Sequence, residues 1–94
     1  KVRRTMNKYN LSQITKVLEK IISYNVRYYR TMRGMDEDKL ASYLGKKGQY
    51  IKKLENGELK ANPPIDTIDK MAWALGVPFV AIITDRNIKN EKDE

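Results

Sequence analysis

The sequence predicts an all-α domain of five helices, on three observations. Apolar residues recur at three- and four-residue steps through most of the chain. Gly and Pro fall at intervals of helical length: none precedes Gly34, and Gly45, Gly48, Gly57, Pro63, Pro64, Gly76 and Pro78 follow. Few segments alternate with period two. The one ambiguous run, Val77–Ile83, would be a strand with nothing to pair with.

The first helix is expected over 11–33. Leu11, Ile14, Leu18, Ile21, Ile22, Val26 and Tyr29 form its apolar stripe. Asn10 is a candidate cap, with Gln13 three residues on as the returning partner. The pattern leaves open one long helix or two with a break near Ser23–Asn25. Gly34 ends it. A second helix, 36–44, opens on Asp36 as N-cap, with Glu37 and Asp38 at the positive end of the helix dipole. Leu40, Ala41 and Leu44 are its inward set, and Gly45 stops it. A third, 47–56, places Ile51, Leu54 and Glu55 on one side of the wheel. At about 100° per residue, Gln49 and Lys53 lie opposite, flanked by Lys52 and Tyr50. A fourth, 64–75, starts at Pro64 and carries Ile65, Ile68, Met71, Ala72 and Leu75 as its stripe. Pro78 opens a short fifth element reaching about Thr84.

Composition narrows the function. With 94 residues the chain fits one small domain. It has no Cys and no His, which excludes disulfide frameworks, Cys/His zinc sites, thiol nucleophiles and histidine acid–base chemistry. There is no phosphate loop and no nucleophile–base pair. Asp36-Glu37-Asp38 point apart on a helix start and are explained by the dipole. An enzyme is therefore not expected, nor a metal, cofactor or small-molecule ligand. No apolar run approaches the roughly 18 residues of a membrane span, and a cytoplasmic protein is expected. The net charge is +7, unevenly placed. Residues 1–60 carry 15 Lys/Arg against 6 Asp/Glu, whereas 61–94 carry 4 against 6. A basic first two-thirds suggests a polyanionic partner.

The second and third helices are joined by a very short turn, Leu40-Ala41-(x)2-Leu44-Gly45-(x)5-Ile51-(x)2-Leu54. Small Ala41 lets the next helix approach, Gly45 permits a sharp turn, and Ile51 and Leu54 anchor the third helix from inside. This is the helix-turn-helix arrangement.

From about Ile22 to Ile83 the sequence resembles the Cro/CI-type (XRE) helix-turn-helix domain of phage repressors and bacterial regulators. The match rests on Val26, Arg30, Arg33-Gly34-Met35, Leu40-Ala41, Leu44-Gly45, Ile51, Leu54-Glu55-Asn56-Gly57 and Ala72-(x)2-Leu75-Gly76-Val77. The resemblance implies a five-helix, lambda-repressor-like domain, here with an extra N-terminal helical extension. It also implies a transcriptional regulator, expected to be a repressor, binding a double-stranded DNA operator as a two-fold homodimer. The alternative is a protein-interaction module on the same fold, such as an antitoxin-like subunit. Carried over, the recognition helix is 48–56. Gln49, Lys53 and Tyr50 are the expected base contacts, and Lys46, Lys47, Lys52 and Lys39 the expected phosphate contacts. Arg30 and Glu55 match a family ion pair that ties the first helix to the third, and Glu55 lies on the same wheel side as Ile51.

The chain departs from the family pattern at four places. Lys46 stands where a small apolar residue or Thr is usual, and Lys47 replaces a Ser or Thr cap. Glu37 replaces a phosphate-touching Gln, and Gly48 replaces a side chain that often reads a base. Outside the match, residues 1–18 form a basic, partly helical extension in which Arg3 and Arg4 are candidates for a minor-groove arm. Residues 19–84 form the domain, and 85–94 are expected to be a charged, disordered tail. Trp73, off its helix stripe, and Phe79 are candidate dimer contacts.

Overall fold

The computed structural model describes residues 11–86. The expectations for the basic arm with Arg3 and Arg4, for Asn10 as a cap, and for the tail from 87 onward lie outside the described residues. Five helices follow one another: α1 (Leu11–Met32), α2 (Glu37–Tyr43), α3 (Gly48–Glu55), α4 (Ile65–Leu75) and α5 (Phe79–Ile82). Among the described residues no helix is long and apolar enough to cross a membrane.

The question left open at Ser23–Asn25 is answered by a single unbroken α1 of 22 residues. Its expected stripe divides, however. Ile22 and Val26 are fully buried, and Leu18 and Tyr29 pack against them, but Ile14 is 53% exposed. The core is completed by Leu40 and Ala41 of α2, Ile51 and Leu54 of α3, Ile68, Met71, Ala72 and Leu75 of α4, and Ile82 of α5. Ile65, expected in the α4 stripe, is 73% exposed. It is the first residue of its helix, ahead of the turn that first meets the core, and Pro64 before it is the cap.

Side chains of α1 and of the turn that follows it close the ends of the other helices. Arg33 donates from Nε to Leu75 O at 2.6 Å, placing a cation at the negative end of α4. Ser23 donates its hydroxyl to Leu54 O at 2.8 Å, on the last turn of α3. Buried Asn25 donates from Nδ2 to Ile82 O and Thr84 O, both at 2.8 Å, and so fastens α5 to α1. The packed structure also continues past Thr84. The Arg86 guanidinium sits 4.0 Å from the centre of the Tyr28 ring, and its Nη1 is 3.4 Å from the Tyr29 hydroxyl.

Candidate nucleic-acid interface

The site is built on the α2–turn–α3 unit. Asp36 caps α2 by accepting from Lys39 N at 2.8 Å. The turn is closed by Lys46 N donating to Ala41 O at 3.0 Å, with Gly45 at φ +68°, a left-handed conformation that a Cβ would strain. Lys47 occupies the cap position of α3 and makes no side-chain cap bond. Instead the first turn of α3 lies against α2. A Cβ built on Gly48 would collide with the Asp38 carboxylate and come within 3.3 Å of the Asp38 backbone nitrogen. A side chain at this position would require the exposed Asp38 carboxylate to swing aside. The sequence shows the glycine but not this neighbour.

Ile51 and Leu54 fix the inner side of α3 at 0% and 2% exposure. The opposite side faces solvent: Gln49, Lys52 and Lys53 are exposed, as are Lys46 and Lys47 before the helix. Tyr50 differs from the other expected base contacts. It is half-buried and packed on the core, burial pushes its phenol up from the ordinary value, and Lys46 Nζ lies 4.8 Å from its ring centre. Lys39 is exposed on α2 with its Nζ 5.7 Å from the Tyr43 ring.

Behind this face, Arg30 and Glu55 meet side by side. Arg30 Nε is 2.6 Å from Glu55 Oε2, and Nη2 is 2.9 Å from Oε1. The Glu55 side chain is 1% exposed and that of Arg30 11%. Arg30 Nη1 also donates to Met35 O at 2.8 Å. The bidentate bond to Glu55 holds the guanidinium pKa above its ordinary value, against the opposing effect of burial. Two further residues join this cluster. Arg27 reaches Glu55 at 3.4 Å. Glu37, which stands where the family pattern has a phosphate-touching Gln, lies 4.0 Å from Arg30.

The candidate dimer contacts separate. Trp73 is 74% exposed, with its ring edge against Tyr43 at 5.9 Å, whereas Phe79 is half-buried on the core. They are thus not equivalent parts of one exposed patch. Sequence reasoning named Arg33 in the family match and Gly48 as a departure from it, but not the contacts of either, and it assigned no role to Asn25. For Arg33 a basic residue just past the α1 stripe was a weak signal; for Asn25 a polar residue inside an apolar stripe was a better one.

The comparisons agree with this geometry. Residues 26–82 match the helix-turn-helix family. The HTH-type transcriptional regulator y4dJ of Sinorhizobium fredii is 30% identical over 71% of this chain and 84% of its own length. The control protein C.SmaI of Serratia marcescens is 29% identical over 80% of this chain and 87% of its own. Among solved structures, a hypothetical transcription factor from Neisseria superposes with a TM-score of 0.70 at 27% identity, covering 79% of this chain and 83% of that one. A helix-turn-helix regulator from Vibrio cholerae gives 0.64 at 26% identity, over 72% of this chain and 37% of that one. The chain belongs to the Cro/CI-type helix-turn-helix family of DNA-binding transcriptional regulators.

Proposed function

We propose that this protein is a repressor that binds a palindromic double-stranded operator as a homodimer, with α3 of each copy in the major groove. The observation that carries the reading is the two-sidedness of α3: Ile51 and Leu54 are buried while Gln49 and Lys53 face solvent. Gln49 can bond bidentately to adenine N6 and N7, and Lys53 can donate to guanine O6 and N7. Tyr50 offers a base only its outer part. Lys46, Lys47, Lys52 and Lys39 hold phosphates and set the register without reading sequence. Gly48 has no side chain to read a base, and the start of α3, which lacks a side-chain cap, leaves its first backbone N–H groups, at Gly48 and Gln49, for a phosphate beside Lys46 and Lys47.

Selection of bound duplexes from a random pool tests this, repeated with Gln49→Ala and Lys53→Ala. Each variant is expected to lose preference at one or two positions of each half-site, at about 1–3 kcal/mol per lost base contact. Uniform weakening across all sequences would demote both side chains to backbone contacts. With about five phosphates neutralised per copy, log K should fall against log salt with a slope near −4 to −5 per half-site. A protein-interaction role on the same fold is favoured by one observation, the exposure of Trp73 beside Tyr43. It would show as DNA binding that is weak and indifferent to sequence.

A further inference from the structure

Helix α1 carries two apolar stripes; the core takes one, and Arg86 covers only the Tyr28 end of the other. The inner stripe, Leu18, Ile22, Val26 and Tyr29, packs into the core. The outer one runs Ile14, Val17, Ile21, Tyr24, Tyr28, at steps of three, four, three and four residues. Ile14, Val17 and Tyr24 are 53%, 56% and 55% exposed; Ile21 and Tyr28 are half-buried. Tyr24 stacks on Tyr28, with ring centres 6.2 Å apart and planes at 13°, so the aromatic end of the stripe is already ordered. Packing on a globular core does not require this outer row. A 3.5-residue repeat kept over two heptads is the pattern by which one helix lies along another.

We propose that the outer stripe of α1 is the face through which two copies of this chain pair. Two observations select a second copy over another occupant. The repeat is self-complementary, as a two-fold contact requires, since each copy offers the same row. Its size suits such a contact: the row and the aliphatic stems beside it offer on the order of 500 Å² per copy, or about 1,000 Å² for the pair, where specific interfaces begin. The inference rests on the two-copy part of the proposed function but not on DNA contact.

Sedimentation equilibrium of the full chain tests it, with Val17→Glu/Tyr24→Glu and, separately, Val80→Glu on the exposed side of α5. The wild-type chain is expected to form a dimer, and the double variant to weaken it at least ~100-fold while Val80→Glu leaves it intact. Because Val17 and Tyr24 are exposed in the monomer, the helical circular dichroism of the double variant should be unchanged. If it is not, Val17→Cys decides: the chain has no cysteine of its own, so oxidation should link two copies through position 17 but not through Lys70→Cys on α4. A dimer that survives the double variant and is lost with Val80→Glu overturns this inference alone. Equal linking at positions 17 and 70 does the same. A wild-type chain that stays monomeric overturns both the inference and the two-copy reading, whereas loss of base preference in the Gln49 and Lys53 experiment bears only on DNA recognition.

Discussion

Removing Glu55 tests the architecture behind the DNA-facing helix most sharply. Glu55→Ala leaves the Arg30 guanidinium, 11% exposed, with Met35 O at 2.8 Å and Glu37 at 4.0 Å as its remaining partners. Breaking one side of a buried pair costs about 3–5 kcal/mol, because the surviving charge stays out of water. Glu37 and the residual exposure of Arg30 offset part of this, so about 2–4 kcal/mol is expected. For a domain of this size each kcal/mol moves Tm by about 4–8 °C, giving a fall of roughly 10–30 °C by circular dichroism. Trp73 is too exposed to serve as the reporter. The complementary double variant Arg30→Met/Glu55→Leu removes both charges and should recover most of the loss, since replacing a whole buried pair by apolar groups is often neutral. A single variant within 1 kcal/mol of the wild type, or a double variant worse than either single one, would refute a desolvated pair and reduce it to a surface contact.

Three further outcomes follow from the packing. Gly48→Ala should change stability by less than about 1 kcal/mol in urea unfolding, as the exposed Asp38 carboxylate swings aside and alanine's helix preference offsets the remaining crowding. In an Asp38→Ala background the same change should be neutral or stabilising. Asn25→Ala strands the carbonyls of Ile82 and Thr84 and should cost about 1–3 kcal/mol, with amide exchange rising first in α5. Burial raises the folded-state pKa of Tyr50 above its unfolded value, so the folded state holds the proton longer. Its contribution is therefore complete below pH about 10 and declines as pH rises through the folded pKa. Tyr50→Phe should flatten that alkaline decline relative to the wild type.

Several features of the site could be read because they depend on local spacing. The wheel position of Gln49 and Lys53 opposite Ile51 and Leu54 needs only the period of a helix. The short Leu44–Lys47 link needs only Gly45 and the absence of room for a loop. The apolar positions of α1 were equally visible, but a wheel cannot tell which of two stripes a core will take. Leu18 and Ile22 were chosen over Ile14 and Val17 because α2 to α5 pack only against that side. Ile65 shows the same limit at the start of α4.

Local chemistry alone thus determined the helices, their stops and the solvent-facing row of α3, since each follows from side chains within a few positions of one another. Tertiary structure alone decided that position 48 faces Asp38, which backbone carbonyls Asn25 and Arg33 would hold, and that Glu37 comes within reach of Arg30. Those contacts join residues 7 to 59 positions apart. They exist because hydrophobic burial brings the helices together, and burial is indifferent to order along the chain.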